Sequence, residues 1–303
     1  MGEDGVVAAL VPAPSLRTIF LEWRVDPTMA LVVVLLVALY LGGVRRLAQR
    51  DRPVRWPPGR SAAFLAGVAT IAFATQSGLA RYDTVLFSLH VTQHILLGMG
   101  APLLLALGAP ITLALQASSR PTQRTLTRLV HSRVVATLTR PVVAWALFGG
   151  TLFALYFSPL FEFSLRNRWL HQAVHLHFLT VGCLFAWTAV GIDPMRHRLS
   201  HPARLLFVLL AVPFHAFLGL AILSADAKPL GGKVYGAVHR TWGSTVVADQ
   251  HTGAGILWAI GDLFGLLAGL VVLTQWLRYD RRRQAREDRV LDAQLAATPR
   301  ERG

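Results

Sequence analysis

The sequence predicts an all-α membrane protein, a polytopic bundle of seven transmembrane helices. Of its 303 residues, 53% are hydrophobic and only 15% are charged, whereas soluble domains usually carry about a quarter charged residues. Several apolar stretches reach about 20 residues, the length that crosses the hydrocarbon core of a bilayer as a helix. The basic residues lie mainly between these stretches, as topology signals do. The net charge of +14 therefore indicates membrane topology, and we expect no nucleic-acid partner.

The seven predicted spans are apolar runs separated by charged segments. They cover residues 29–43, 62–80, 84–116, 142–157, 170–191, 205–224 and 252–276. They form a transmembrane domain over 29–277, between an N-terminal tail, 1–28, and a basic C-terminal tail, 278–303. The C-terminal tail is expected to be either a helix or disordered. As drawn, no span contains a lysine or an arginine.

The distribution of arginine predicts the orientation of the bundle. Arginines are concentrated after the first, third, fifth and seventh spans, and the alternate segments hold few. Because cytoplasmic loops of membrane proteins carry an excess of basic residues, these four segments are expected to be cytoplasmic. The N-terminal tail is then extracytoplasmic, and the C-terminal tail lies in the cytoplasm.

The third span is too long for one straight crossing. Its roughly 33 residues would make a helix about 50 Å long, against a hydrocarbon core of about 30 Å. Pro102 and Pro110, together with several glycines, can kink or break such a helix. We expect a kinked helix that crosses once, with its second part near the cytoplasmic interface. A re-entrant turn is the alternative.

Histidines and acidic residues are predicted at similar depth on four spans. The third span and the fifth span each carry two histidines four residues apart. Residues four apart on a helix share a face, so each pair presents both of its imidazoles on one side. One further histidine lies about halfway along the sixth span, and two polar residues lie at the mouth of the seventh. The candidate metal ligands are His90, His94, His171, His175, His215, Asp249 and His251. Intramembrane ionisable side chains are costly and usually functional.

The ligand types alone leave the cofactor open. Imidazole suits copper, zinc, iron and nickel, and paired histidines on facing helices also suit bis-His haem. A proton path or a quinone pocket would use the same side chains without a metal. Two further polar residues lie within the spans, Gln93 and Asp262. Asp262 is expected to pair with a neighbour such as Gln76 or Gln93, or to relay protons, and a plain interhelical hydrogen bond is equally compatible.

Four runs in order resemble one known family. The run QHILLGMGAPLLLALGAPIT, residues 93–112, resembles the QHxLLxxxAPxLLxLGAPxT signature of the CtaG-type cytochrome c oxidase assembly factors. Similar runs follow at 185–187 with 191–194 (FAW and GIDP), at 213–219 (PFHAFLG) and at 249–258 (DQ with the glycines and Trp258 after it). The matched region, 82–261, covers more than half of the chain. The family also has seven spans.

The resemblance implies a bacterial, multi-pass plasma-membrane protein that helps copper reach the subunits of a haem–copper oxidase, and not an enzyme. By motif, the copper role falls on His94 and His215, with Asp249 near the mouth. At position 251 the family is expected to have glutamine more often than histidine. The alternatives are a bis-His haem redox protein and a metal or proton transporter. The oligomeric state is left open.

Overall fold

A computed structural model describes residues 12–50, 52–238 and 240–297, and within them the chain is helical with no strand. The first eleven residues of the predicted N-terminal tail and the last six of the C-terminal tail lie outside the described residues. The helices are α1 (Leu16–Leu21), α2 (Pro27–Ala48), α3 (Pro58–Gln76), α4 (Leu79–Tyr82), α5 (Phe87–Ile95), a π-helical turn (Leu96–Gly100), α6 (Ala101–Leu107), α7 (Pro110–Ala117), α8 (Arg120–Val130), α9 (Arg133–Leu138), α10 (Pro141–Tyr156), α11 (Pro159–Arg166), α12 (Arg168–Val190), α13 (His201–Leu209), α14 (Ala211–Leu223), α15 (Gly232–Tyr235) and α16 (Val246–Ala297).

Six helical stretches of the described chain are long and apolar enough to cross a membrane, and a seventh if one bent pair counts as a span. The bent pair is α10 and α11, which meet at 76°. With 16 residues, α10 is about 24 Å long, and α11 turns across its end. The prediction of a polytopic helix bundle is therefore confirmed as six to seven spans. The direction in which the bundle crosses the membrane stays a prediction.

Successive spans alternate in direction, so the connecting segments gather at two ends of the bundle. We call the end formed by segments 77–86, 157–167 and 224–245 the histidine end. The opposite end, formed by 52–57, 118–140 and 191–200, is the arginine end. These two names describe the molecule alone, without reference to the sides of a membrane.

The long third stretch breaks where the sequence predicts a break. From Phe87 the helix continues through the π-helical turn to Leu107, and Ala109 then takes the left-handed conformation with φ 49°. Pro110 starts the separate helix α7, which packs on α2. The end of α7 lies at the arginine end, because the guanidinium of Arg50 donates to the carbonyl oxygen of Gln116. Pro102 lies in the first turn of α6 and does not end the span.

The last span is longer than predicted. The single helix α16 has 52 residues and is therefore about 78 Å long, far more than a bilayer core requires. Its continuation to Ala297 shows that the described part of the C-terminal tail is helical. No break marks the predicted boundary at 277/278.

Among the described residues one arginine is buried inside the bundle, contrary to the prediction that every span is free of basic residues. The sixth span begins at His201, earlier than predicted, so that Arg204 lies within it and is only 1% exposed. Its guanidinium donates to the carbonyl oxygen of Val190 at 2.6 Å and to Oε1 of Gln275 at 2.8 Å. Arg204, near the start of α13, thus joins the end of α12 to the middle of α16.

Close packing between α12 and the π-helical turn sets the depth of the histidine helices. A Cβ atom added to Gly182 would lie 2.1 Å from the carbonyl oxygen of Gly98, so only glycine allows this approach. The first helix of the bundle, α2, is held at its start by Asp26. That carboxylate caps α2 and accepts from Gln172 and Arg168 of α12. Most of the remaining surface of α2 is apolar and exposed, as a lipid-facing helix requires.

Candidate metal centre

The two predicted histidine pairs meet in the core and form a closed group of four imidazoles. Within each helix, the ring centroids of His90 and His94 lie 4.1 Å apart and those of His171 and His175 lie 4.4 Å apart. Between the helices, the distances are 5.4 Å from His90 to His171 and 5.6 Å from His94 to His175. All four residues are buried. We call this group the four-histidine cluster.

Most ring nitrogens of the four-histidine cluster have no hydrogen-bond partner among the described residues. The unpartnered atoms are both nitrogens of His90, both of His175, and Nε2 of His94 and of His171. About nine in ten buried polar groups in proteins are hydrogen-bonded, because an unpaired one costs about 1–3 kcal/mol. Six such atoms in one place therefore need a reason, and neutral imidazole nitrogens are the commonest metal ligands in proteins.

Two side chains outside the four rings hold them in place. The hydroxyl of Tyr156 lies 3.0 Å from Nδ1 of His94, so it fixes that ring and leaves Nε2 free. Oδ2 of Asp83 lies 3.3 Å from Nε2 of His171, without the geometry of a hydrogen bond. Ligand atoms of Asp83, His171 and His175 all lie within 4.8 Å of one another. The donor atoms that lie together are thus two imidazoles and one carboxylate, with the rings of His90 and His94 packed beside them.

Asp83 and Tyr156 are the members of the site that the sequence reasoning missed. Asp83 lies directly before the third predicted span, at the same end as Asp249, and the depth argument used for Asp249 would have found it. Tyr156 is the next-to-last residue of the fourth predicted span and carries its hydroxyl to the same end. Neither position has a helical pattern that marks it as a ligand or a ring-positioning residue.

A buried tyrosine covers the site from the loop between the last two spans. The hydroxyl of Tyr235 donates to the carbonyl oxygen of Asp83 at 3.1 Å. Burial, and next the nearby carboxylate of Asp83, raise the pKa of the Tyr235 phenol well above its ordinary value. The hydroxyl therefore stays protonated and keeps donating, which holds the segment containing Asp83 against the cluster.

Asp249 lies close to the cluster but its carboxylate is used in a helix cap. Its Oδ1 accepts from the hydroxyl of Ser88 at 2.5 Å, and Oδ2 accepts from the Ser88 N–H at 3.4 Å. Ser88 is in the first turn of α5, two residues before His90, so the cap fixes the start of the helix that carries the first histidine pair. The next residue, Gln250, joins Leu230 to Ile222 through its side-chain amide.

His251 is not brought to the cluster. Its Nε2 lies 2.6 Å from Oδ1 of Asp226, and the two side chains are 41% and 56% exposed. The structure therefore places it in a surface pair on the loop side of α16. His177 on α12 is exposed as well, in agreement with the prediction that it does not share the face of His171 and His175.

The predicted partners of Asp262 are wrong. Gln93 donates to the carbonyl oxygen of Ala74 at 2.8 Å, and Gln76 bonds with Asp26. Asp262 lies near His215 instead, with Oδ1 3.8 Å from Nδ1. Each of these residues lies on the helix that the sequence predicts for it. The sequence does not show which faces of α3, α5 and α16 pack against one another.

Comparison with known proteins identifies the family. Residues 38–279 match the model of the cytochrome c oxidase caa3 assembly factors, Caa3_CtaG. The chain belongs to this family. The predicted resemblance is thereby confirmed over about the whole transmembrane domain, and the protein is a member of an oxidase assembly factor family with six to seven candidate spans.

Relatives of this caa3 assembly factor family member occur in mycobacteria. Uncharacterized proteins of Mycobacterium bovis and Mycobacterium tuberculosis are each 38% identical to it over 290 residues, which is 93% of this chain and 43% of theirs. One from Mycobacterium leprae is 36% identical over 93% of this chain and 44% of its own. The chain thus spans less than half the length of these curated relatives. No solved structure matches the chain.

Two of the runs quoted for the family contact each other at the arginine end. Oδ1 of Asp193 accepts from the Thr112 N–H at 2.7 Å and from its hydroxyl at 2.6 Å, and Oδ2 accepts from the Ile111 N–H. The indole of Trp187 donates to the same carboxylate at 2.8 Å. The GAPIT run and the FAW and GIDP runs therefore form one cap at the start of α7.

Proposed function

We propose that this protein binds copper at the four-histidine cluster and assists its delivery to a haem–copper cytochrome c oxidase during assembly. The observation that carries the proposal is the group of buried ring nitrogens without hydrogen-bond partners. A structural polar network satisfies its members, whereas a metal site leaves donor atoms facing one another. Membership of an oxidase assembly factor family supports the oxidase as the partner, and we infer copper as the cargo because a haem–copper oxidase needs that metal.

Three of the donor groups lie nearly close enough to serve one ion. Metal–nitrogen bonds to imidazole are about 2.0–2.1 Å long, so ligand atoms of one ion lie at most about twice that distance apart. The 4.8 Å spread within Asp83, His171 and His175 exceeds this limit by less than 1 Å. Small rotations of the side chains close that gap. An incompletely formed coordination shell suits transfer, since a complete one would retain the ion.

The proposed site has an approach from the histidine end. A pocket of about 810 Å³ opens between α11 and the segment 225–233, and Tyr156 and Phe161 line its floor. On the other side of that floor, Tyr156 contacts His94 and the ring of Phe161 lies 5.2 Å from the ring of His90. With the predicted orientation, this pocket faces the extracytoplasmic side of a bacterial plasma membrane. Copper would enter there and leave to an oxidase subunit on the same side.

The proposed role is that of a metal chaperone and not of an enzyme. The cluster offers neutral imidazoles and a carboxylate that hold an ion, and the four rings are shielded from solvent. Haem ligation fits the packing less well, because the cavity beside His94 measures only about 20 Å³. A porphyrin between the paired histidines would require the helices to separate.

Metal content and oxidase assembly test the proposal together. The purified protein, loaded with copper or zinc in separate samples, is compared with a His90→Ala/His171→Ala variant. We expect copper to bind with higher affinity than zinc, and the variant to lose it. The matched control is His177→Ala, an exposed histidine on the same helix, which should keep the wild-type copper content.

Cells carrying each variant are then assayed for oxidase activity and for copper in the purified oxidase. We expect both to fall in the double variant and to be normal in His177→Ala. Unchanged copper binding and unchanged oxidase in the double variant would overturn the proposal. A strong haem band in the reduced-minus-oxidised spectrum of the purified protein would do the same.

A further inference from the structure

Both lysines of the protein lie in the pocket at the histidine end. The sequence has 30 basic residues, and every one except Lys228 and Lys233 is an arginine. Both lysines line the pocket of about 810 Å³ between α11 and the segment 225–233. Basic residues that set membrane topology lie in cytoplasmic segments, and the predicted orientation puts this pocket on the other side. The two lysines therefore need a different explanation.

The charge of these lysines is not neutralised within the described part of the protein. Glu162 and Arg166, the other charged residues of the lining, pair with each other, with Nη2 of Arg166 2.7 Å from Oε1 of Glu162. Lys228 and Lys233 are exposed, and neither side chain has a hydrogen bond or an ion pair among the described residues. These charges attract an anionic group and not a copper ion. The lysines therefore fit an anionic partner of the protein rather than its metal.

Close packing fixes the wall of the pocket that carries the lysines. Gly231 takes the left-handed conformation with φ 62°, and an added Cβ atom there would lie 2.9 Å from Cδ1 of Leu165 and 3.0 Å from Cε1 of Phe161. The adjacent Leu230 N–H donates to Oε1 of Gln250 at 2.7 Å. The segment is thus held on α11 and α16 before a partner arrives. A preorganised site costs less free energy to fill.

The size and the walls of the pocket indicate an occupant larger than an inorganic anion. Pockets of about 300–1,000 Å³ bind ligands of drug size, so this space admits several amino-acid side chains at once. Phe157 and Phe163 also line the pocket and are 45% and 63% exposed. Exposed aromatic side chains beside lysine amines suit a protein segment that carries both apolar and acidic residues.

We propose that this pocket docks an acidic segment of the oxidase subunit that receives the copper, with Lys228 and Lys233 pairing with its carboxylates. The proposal rests on the proposed function, because that function supplies the acceptor. Docking here places the acceptor against Tyr156, whose hydroxyl lies 3.0 Å from Nδ1 of His94. The pocket floor is then the layer between the acceptor and the four-histidine cluster. Complementary charge at the rim of an interface mainly speeds association, which suits a complex that forms and dissociates with each delivery.

Zero-length cross-linking tests the docking, because Lys228 and Lys233 carry the only side-chain amines of the chain. The copper-free full chain in detergent is mixed with purified, copper-depleted oxidase, and a carbodiimide joins amines to the carboxylates that contact them. We expect cross-links from these lysines to Asp or Glu of one oxidase subunit, located by mass spectrometry. Lys228→Gln/Lys233→Gln should weaken oxidase binding at low salt, measured by surface plasmon resonance, about tenfold or more. Lys228→Arg/Lys233→Arg keeps the charge and should bind normally without these cross-links.

The matched control is Arg24→Gln/Arg81→Gln, which removes two exposed positive charges near the same end but outside the pocket and should leave oxidase binding unchanged. Normal binding by the glutamine variant of the lysines, or cross-links confined to the N-terminal amine, would overturn the docking. So would a glutamine variant that loses only bound phosphatidylglycerol in native mass spectrometry, since the pocket would then hold a lipid headgroup.

The proposed function fails separately from the docking. Copper content is measured on the same samples, and we expect the glutamine variant of the lysines to bind copper as the wild type does. A wild type that docks the oxidase through its lysines but binds no copper would refute the four-histidine cluster as a copper site and would leave the docking intact.

Discussion

The two ends of the bundle each contain a buried polar group, and the groups differ in how far their hydrogen bonds are satisfied. At the arginine end, the carboxylate of Asp193 accepts four hydrogen bonds from three residues. At the histidine end, six ring nitrogens of the four-histidine cluster have no partner among the described residues. Both groups are buried.

The difference separates stability from function. A satisfied buried group holds elements together, and its loss leaves several donors unpaired. An unsatisfied buried group contributes little to folding and costs free energy until a ligand fills it. Substitutions at the arginine end should therefore lower the free energy of unfolding. Substitutions at the histidine end should instead weaken copper binding. Four substitutions test this contrast, from the largest expected effect to the smallest.

Replacing Asp193 by alanine should lower the free energy of unfolding by about 3–5 kcal/mol, because it leaves the N–H groups of Ile111 and Thr112 and the Trp187 indole without their acceptor. Thermal unfolding in detergent measures the loss. Copper stoichiometry in the folded fraction should be normal. Asp193→Asn keeps one acceptor oxygen and should lose less. A fully stable Asp193→Ala would show that the cap is not what holds α7.

The double substitution His90→Leu/His175→Leu should weaken copper binding at least about 100-fold, equivalent to about 2.7 kcal/mol, and should leave thermal stability equal or higher. Leucine fills a similar volume and removes four unpaired nitrogens, so the folded state loses a desolvation cost. Copper titration and thermal unfolding are measured on the same sample. A drop in stability as large as that of Asp193→Ala would instead make the cluster a structural feature.

Tyr156→Phe should weaken copper binding about tenfold while changing stability little, since it removes only the hydroxyl that holds Nδ1 of His94. Tyr40→Phe is the control: its hydroxyl donates to the carbonyl oxygen of Gly108, in the break before α7, and contacts none of the four rings. We expect that variant to keep its copper affinity and to lose about 1 kcal/mol of stability. Equal affinities for both variants would argue against a positioning role for Tyr156.

His251→Ala should change almost nothing. Its partner, Asp226, is more than half exposed, and exposed ion pairs contribute about 0–1 kcal/mol. Stability should fall by about 0.5 kcal/mol or less, and copper titration should match the wild type. A clear loss of copper would place the histidine in the pathway of the ion and would extend the site toward the surface.

Much of the site was readable in the sequence because helical spacing is a local property. His90 with His94, and His171 with His175, are four residues apart, so each pair shares a face whatever the helix packs against. The lengths of the apolar stretches predicted the spans. Pro110, with the separate glycines before it, predicted the break before α7. The ligand types left the metal open, and copper, which the resemblance implies, stays a proposal.

The positions of other site residues depend on which helix faces pack together, and no local sequence pattern determines that packing. The sequence put Asp249 and His251 beside the cluster by depth, but depth ignores direction around the helix axis. Asp249 faces Ser88 and caps α5, whereas His251 faces Asp226 at the surface. Asp83, in a short connecting segment, was missed because its position is set by contacts with α12 and Tyr235.

The sequence by itself determined the helical class, the number of apolar stretches and the pairing of histidines along each helix, because hydrophobic length and a 3.6-residue period act within one segment. The tertiary structure decided that the two pairs meet, that Asp83 and Tyr156 join them, and that His215 lies beside Asp262. These contacts depend on close approaches such as Gly182 on Gly98 and on a π-turn, which arise only when the helices pack against one another.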